Sequence, residues 1–182
     1  MKAAVQDLAI GVREATDRDL ETIQAIYAHY VRYGTGSFEE IPPDTAEMAR
    51  RRASILRRGL PFLVAEIHGQ VKGYAYAGPF RTRSAYRYSV EDSVYIDPDA
   101  QGLGLGRLLL QELIARVTAK GYRQMIAVIG DSANTASIAL HARMGFRRVG
   151  ILESTGYKLG RWVDTVIMQR PLDQGDSTPP TR

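Results

Sequence analysis

The sequence predicts a mixed α/β fold. Strand and helix patterns follow one another in the order β-α-α-β-β-β-α-β-α-β-β. Residues 125–129 form a continuous apolar run, which is typical of a strand buried on both faces of a sheet. Residues 89–106 pass from a strand into a glycine-rich turn and then into a helix. With 182 residues, a single domain is the expected organisation.

The N-terminal half is predicted to hold a short strand, two helices and a hairpin. Thr16 with Asp19 three positions on forms an acidic variant of the capping box before the first helix. Asp44 or Thr45 can cap the second helix. The predicted segments are a strand over 12–15, helices over 17–32 and 45–58, and strands over 62–67 and 71–77.

The C-terminal half is predicted to contain the central strand, two helices and three further strands. Gly121 and Gly145 mark the ends of the two helices. The segments are strand 90–96, helix 107–120, strand 125–129, helix 134–144, and strands 146–151 and 163–168. Residues 1–10 are expected to be a loosely held extension and residues 173–182 a disordered tail, so the predicted domain covers residues 11–172.

Composition narrows the possible functions. The chain has no cysteine, which excludes disulfides, thiolate zinc sites and cysteine nucleophiles, and its three histidines are too scattered to predict a metal site. No apolar run approaches the ~20 residues that span a bilayer, so no membrane partner and a cytoplasmic location are expected. The net charge of +4 and the arginines of residues 50–58 allow a nucleic-acid hypothesis. No binding signature accompanies them, and a solvated helix face is the favoured interpretation.

The glycine turn (residues 101–106) predicts an anion site. A strand that enters such a turn before a helix leaves backbone N–H groups free beside the positive end of the helix dipole. Arg107 stands where a dinucleotide fingerprint needs a third glycine, and no lysine follows for a Walker A loop. The remaining pattern, Gln101-x-x-Gly104-x-Gly106, resembles the (Q/R)xxGx(G/A) pyrophosphate loop of GNAT-type N-acetyltransferases. A plain glycine-rich turn at a helix start is the alternative.

Further motifs extend this resemblance over residues 11–172. The pattern Asn134-x-Ala136-x-x-x-Leu140-His141-x-x-x-Gly145-Phe146 is similar to the second GNAT signature. Other stretches look like the phosphinothricin acetyltransferase subfamily, which includes methionine sulfoximine and methionine sulfone acetyltransferases. They are residues 37–39, 75–81, 83–86, 90–95, 127–129, 156–158 and 160–164.

The resemblance implies a GNAT fold, in which helices cover both faces of a mixed central sheet and the central strands splay apart. It also implies acetyl-CoA as donor, a small amino-acid-like acceptor and a homodimer. The pantetheine arm would pair with backbone at Val94, Tyr95 and Ile96, and Asn134 would hydrogen-bond it, unless Asn134 is only a helix cap. The pyrophosphate would lie on the turn formed by Gln101, Gly102, Leu103, Gly104, Leu105, Gly106 and Arg107.

The resemblance also assigns catalytic residues. Glu91 corresponds to the glutamate that the family uses as a base, its alternative being a surface carboxylate beside Asp92. His141 matches the family's histidine and would assist the departing thiolate, its alternative being a structural role.

For the acceptor, Arg81, Arg83 and Tyr86 lie on a loop before the catalytic strand, and arginine binds oxyanions through a fork of N–H groups. Phe38 and Tyr86 would wall the pocket, and Lys158 would add charge. Phe80-Arg81 and Asp92 depart from the phosphinothricin enzymes and favour the sulfoximine and sulfone branch.

Two other functions stay open at this stage. A GNAT enzyme that acetylates protein N-termini or lysines would have an open and often acidic groove, against which the arginine and aromatic loop argues. A CoA-binding sensor without catalysis would not need Glu91. The natural acceptor is not determined by the sequence.

Overall fold

The structure, a computed structural model, describes residues 9–180. It confirms the mixed α/β fold and the order of the predicted elements. The strands are β1 Ile10–Glu14, β2 Phe62–Ile67, β3 Gln70–Pro79, β4 Ser89–Ile96, β5 Gln124–Gly130, β6 Arg147–Lys158 and β7 Arg161–Pro171. The helices are α1 Leu20–Tyr33, α2 Thr45–Arg57, α3 Leu105–Ala119 and α4 Thr135–Arg143.

The seven strands form one sheet in the order β1-β2-β3-β4-β5-β7-β6. The β4–β5 pair is parallel and its described neighbours are antiparallel, so the sheet is mixed. Helices cover both faces, as expected. One core cluster packs α3 against the sheet, and the other packs α1 and Met48 of α2 against Phe62, Val64 and Tyr74. Alternation along β2 explains this, because successive side chains point to opposite faces.

The central strands splay apart as the family resemblance implies. β4 and β5 pair only from Ser89 opposite Gln124 to Asp92 opposite Ala127. Beyond that rung, residues 93–96 and 128–130 face a gap, called the β4–β5 opening below. β3 stays paired with β4, and β5 with β7, along its length. Val128 is 40% exposed where the strands part, so the expected burial of residues 125–129 on both faces fails at that position.

Local signals placed most helix ends correctly. The Asp44 side chain accepts a hydrogen bond from Glu47 N at 2.7 Å and caps α2. Asp19 Oδ2 accepts from Thr16 N at 2.7 Å, which closes the predicted capping box. α3 begins at Leu105, two positions before the predicted start, because left-handed Gly104 (φ +85°) is its N-cap. Gly106 therefore lies in the first turn of the helix.

Two predicted boundaries differ from the structure. Residues 1–8 of the expected extension lie outside the described part, but Ile10 already belongs to β1. Residues 173–180 of the expected disordered tail are described, and Arg123 ties them to the domain. Its Nε donates to Gly175 O at 2.8 Å and its Nη2 to Thr178 Oγ1 at 2.7 Å. This anchor is invisible locally, since Arg123 lies more than 50 residues away along the chain. No helix between residues 9 and 180 is long and apolar enough to cross a membrane.

Candidate active site

The glycine turn is open on its outer side. Gly102 (φ +78°) and Gly104 (φ +85°) adopt positive φ values that side chains rarely tolerate. A Cβ added at either position would meet no described atom within 4 Å. The first turn of α3 carries no acidic residue, so the partial positive charge of the helix end is not neutralised there. The turn therefore fits a phosphate or pyrophosphate group that approaches the backbone closely.

The Gln101 side chain ties the turn to α1. Gln101 Nε2 donates to Tyr30 Oη at 3.2 Å, and Tyr30 Oη donates to Ile96 O at 2.5 Å. Leu103 is exposed at the tip of the turn. Gln101 thus positions the turn through Tyr30, while the backbone around Gly102 and Gly104 stays accessible.

Arg107 lies beside the glycine turn in a groove of about 920 Å³. Arg143 from the end of α4 and Arg170 from β7 line the same groove, and no carboxylate does. One Arg170 N–H donates to Met144 O. The groove next to the glycine turn is therefore positively charged.

One edge of β4 is free where a donor arm was expected. Val94, Tyr95 and Ile96 pair with β3 on one side and border the β4–β5 opening on the other. Asn134, expected to contact the same arm, caps α4, since its Oδ1 accepts from Ser137 N at 3.2 Å. The capping alternative is thus realised, and a contact of the Asn134 amide with the donor stays a prediction.

Glu91 occupies a half-buried position directly before the last β4–β5 rung. It shares a sheet face with Tyr76 and Ser93, which hydrogen-bond each other, and no described residue hydrogen-bonds its carboxylate. Burial raises the pKa of Glu91 above its usual value, the charge of Asp92 raises it further, and the charge of Arg81 opposes both. A carboxylate with raised pKa and no fixed partner is suited to accept a proton near neutral pH.

The loop between β3 and β4 presents the predicted cations. Arg81, Arg83 and Tyr86 are all exposed. Phe80 contacts two of them, because the Arg81 guanidinium lies 5.0 Å above its ring and Tyr86 meets it edge-on at 5.8 Å. Arg81 is close enough to act on the pKa of Glu91. Arg83 O accepts from Tyr86 N at 3.0 Å, and no described residue binds its guanidinium.

Phe38 packs across one end of the strands β5, β7 and β6. Its ring lies over Gly130 of β5 and Gly156 of β6, where an added Cβ would come within 3.0 Å and 2.8 Å of it. The ring is 41% exposed, so one side faces solvent. The preceding Ser37 is buried and hydrogen-bonds Tyr27 Oη at 2.8 Å, which fixes the loop that carries Phe38. This geometry agrees with a pocket wall.

Lys158 takes a different position from the one expected. Its side chain is buried, and Nζ donates to Ser37 O at 2.5 Å and to Tyr30 O at 3.3 Å. Burial lowers the pKa of Lys158, and the charges of Glu40 and Glu39 oppose that shift. Lys158 therefore fastens the Phe38 loop to α1 and β6, and its predicted contact with the acceptor is not visible in this arrangement.

His141 lies on the opposite face of β4 from Glu91. Its Nε2 is 2.9 Å from Asp92 Oδ2, and its Nδ1 is 2.7 Å from Ser137 O. A carbonyl only accepts, so Nδ1 donates to Ser137 O, and a hydrogen bond from Nε2 to a carboxylate requires the second ring N–H of the imidazolium form. Burial alone lowers the pKa of His141, but the hydrogen bond and charge of Asp92 outweigh it, and the pKa is raised. In this arrangement the ring has no free N–H for a departing thiolate.

The sequence interpretation missed two residues of this region. Asp92 was noted only as the neighbour of Glu91 and as a departure from the phosphinothricin enzymes, but its side chain is only 2% exposed and pairs with His141. Tyr76 had no assigned role, yet it adjoins Glu91. Strand alternation was the available signal. Glu91 and Asp92 must point to opposite faces, and an antiparallel neighbour places Tyr76 opposite Ser93.

Comparison with known proteins agrees with this geometry. A family model described as an acetyltransferase (GNAT) domain matches residues 12–167. Phosphinothricin N-acetyltransferase of Alcaligenes faecalis is 59% identical over 172 residues, which cover 94% of this chain and 87% of the relative. L-methionine sulfoximine/L-methionine sulfone acetyltransferase of Pseudomonas aeruginosa is 42% identical over 173 residues, which cover 94% of this chain and 100% of the relative.

A solved structure shows the same fold. Phosphinothricin acetyltransferase from Sinorhizobium meliloti in complex with AcCoA aligns with a TM-score of 0.92 and 50% identity, over 95% of this chain and 94% of that chain. The splayed sheet, the glycine turn and these likenesses together confirm the predicted resemblance: the chain belongs to the GNAT acetyltransferase family.

Proposed function

We propose that this protein is an N-acetyltransferase that moves the acetyl group of acetyl-CoA to the α-amino group of a small amino-acid-like acceptor. The observation that carries the proposal is the position of Glu91. A half-buried carboxylate without a fixed partner stands where β4 and β5 begin to separate, on the strand that leads into the glycine turn. The acceptors named for the relatives, phosphinothricin and methionine sulfoximine or sulfone, supply the acceptor class.

The residues present fit acetyl-CoA, which supplies an acetyl group activated as a thioester. The edge of β4 at Val94, Tyr95 and Ile96 that borders the β4–β5 opening offers backbone groups to an amide-bearing arm, and of these the Ile96 carbonyl already accepts from Tyr30 Oη. The exposed N–H groups of the glycine turn and the charge of Arg107 suit its phosphates. Gly102 and Gly104 allow close approach, because no side chain covers the backbone there.

Glu91 would act as the base. An α-amino group has a pKa of about 7.7–8.0, so most of it is protonated at neutral pH and cannot attack a carbonyl carbon. The carboxylate of Glu91 would take that proton directly or through water, and burial helps by raising its pKa toward that of the amine. A thiol pKa of about 8.5 makes the departing thiolate a fair leaving group, so acid help from His141 would be useful but not essential.

Arg81, Arg83, Tyr86 and Phe38 would bind the acceptor. Both acceptor types carry an α-carboxylate, and guanidinium groups bind carboxylates with two parallel N–H donors. Arg83 is the freer of the two arginines, since Arg81 lies over Phe80. Phe38 would contact the apolar part of the acceptor from the opposite side.

Glu91→Gln tests the proposal. The expected result is a fall in kcat of roughly 10²–10⁴-fold at neutral pH, with an unchanged Kd for CoA. The rate should partly recover as pH rises, because more amine then arrives already neutral. Glu21→Gln, an exposed carboxylate at the start of α1, is the matched control and should retain activity. A Glu91→Gln enzyme with wild-type turnover would remove Glu91 from the mechanism.

We also propose that the protein is a homodimer in the cytoplasm. Support for the dimer comes from apolar side chains exposed on β6, β7 and the turn between them, where Trp162 is 62% exposed. The others are Val149, Ile151, Leu152, Tyr157 and Leu159. Light scattering on the purified protein measures the mass directly, and a monomeric mass at micromolar concentration would contradict the dimer.

A further inference from the structure

Asp92 and His141 form a buried ion pair at the point where the sheet opens. Asp92 belongs to the last rung that joins β4 to β5, opposite Ala127. Its Oδ2 meets His141 Nε2 at 2.9 Å, and the two side chains are 2% and 5% exposed. Asp92 Oδ1 is also buried and has no described hydrogen-bond partner. The pair is not part of the chemistry assigned to Glu91, since it lies on the other face of β4.

The pair connects the two halves of the sheet. The first half consists of β1, β2, β3 and β4, and the second half consists of β5, β7 and β6. Asp92 is carried by β4, which is paired with β3. His141 is carried by α4, which follows β5 of the second half through a short turn. Because β4 stays paired with β3 and β5 stays paired with β7 along the opening, a link at the last shared rung is placed to limit how far β4 and β5 diverge beyond it.

The part of α4 that carries His141 also contacts the glycine turn. Leu140, next to His141, packs on Gly106, where an added Cβ would lie 3.2 Å from Leu140 Cδ2. His141 itself is held on both sides, by Ser137 O and by an edge-on contact with Phe146 at 5.0 Å. A shift of His141 would therefore be passed to the first turn of α3.

We propose that the buried Asp92–His141 pair sets the width of the β4–β5 opening and thereby positions the donor thioester relative to Glu91. Both are positioning residues. The inference rests on the proposed acetyl-CoA-dependent function. It makes a specific claim about acyl length, because an opening that the pair holds at one width next to the last rung would admit an acetyl group more readily than a longer acyl chain.

The main test replaces the pair without leaving a buried charge. Removal of one partner of a buried ion pair is strongly destabilising, whereas apolar replacement of both is often tolerated. In Asp92→Leu/His141→Leu, calorimetry should show a Kd for CoA about tenfold higher, equivalent to ~1.4 kcal/mol. The ratio of kcat/KM for acetyl-CoA to that for butyryl-CoA should fall by about the same factor. Asp92→Asn keeps an oxygen that can accept from His141 Nε2 and should stay within about twofold of wild type.

Two comparisons keep the test decisive. Asp19→Asn removes the charge of a second ion pair, in which Nη1 of the partly exposed Arg13 lies 2.8 Å from Oδ2 of the buried Asp19, and should lower stability without changing acyl preference. If the double variant does not fold, Asp92→Ser/His141→Leu, which also leaves no buried charge and no link between the two positions, should give the same shifts. Unchanged acyl preference in a folded variant, or an equal change in Asp19→Asn, would overturn the inference. Wild-type protein that fails to bind CoA would overturn the proposed function instead.

Discussion

Replacement of Gly104 by alanine is expected to weaken donor binding far more than it weakens the fold. Gly104 caps α3 with φ +85°, in the left-handed region. Its Cβ position meets no described atom within 4 Å, so an added methyl group projects outward from the glycine turn. The substitution therefore creates no clash within the protein, and what it obstructs is a ligand at the turn.

The two effects differ in size. A non-glycine residue in the left-handed region costs about 1–2 kcal/mol. That cost lowers Tm by roughly 2–8 °C in a domain of this size. Loss of one backbone hydrogen bond to a charged phosphate costs about 1.5–3 kcal/mol of binding free energy. The Kd for CoA should therefore rise by roughly 10- to 150-fold.

Gly59→Ala is the matched control. Gly59 follows the C-terminal end of α2, has φ +71° and also has no described atom within 4 Å of an added Cβ. It should show a comparable loss of Tm with an unchanged Kd for CoA. Thermal unfolding gives the Tm of each variant, and calorimetric titration gives the Kd of each variant for CoA. If Gly104→Ala bound CoA as tightly as Gly59→Ala does, the assignment of the glycine turn to the donor's phosphates would be wrong.

Three further predictions concern the acceptor loops and the fold. Arg83→Ala should lower kcat/KM roughly 10- to 150-fold for phosphinothricin and methionine sulfone, but much less for a peptide amine without a nearby carboxylate. Arg83→Lys should restore little of the lost activity, because an ammonium group lacks the planar fork of donors. Equal losses in steady-state assays on all three acceptors would contradict an oxyanion contact. Gly156→Ala places a Cβ 2.8 Å from the Phe38 ring and should raise the acceptor KM by roughly tenfold, whereas Gly150→Ala on the same strand, with no atom within 4 Å, should not. The guanidinium of Arg13 lowers the pKa of Asp19 from 3.8 to about 2, so the pair stabilises the fold above pH 3.8 and this contribution is lost as pH falls to about 2. Urea unfolding should therefore show wild type more stable than Asp19→Asn by about 2 kcal/mol at pH 5, with the gap closing toward pH 2, and a constant gap would refute the assignment.

Features that depend on near neighbours in the chain were readable from the sequence. The caps at Thr16 and Asp44 use side chains within three residues of the N–H groups involved, and the glycine turn needs only local backbone freedom. The same holds for the order of strands and helices, because hydrophobic periodicity is a property of each segment. The family motifs also placed Glu91 on the central strand, where the structure has it.

Features that depend on the packing of distant segments were decided by the tertiary structure. His141 meets Asp92 across 49 residues, and Lys158 reaches Ser37 across 121. Both contacts are structural, and the catalytic role of His141 and the acceptor role of Lys158 stay predictions. Arg123 holds a tail whose composition alone predicts disorder. A sequence pattern states which charges a chain possesses and on which face of a strand they stand. The partner of each buried charge depends on how the helices pack on the sheet. A buried charge without a partner is costly because it has lost its hydration, so stable packing places a complementary group beside it.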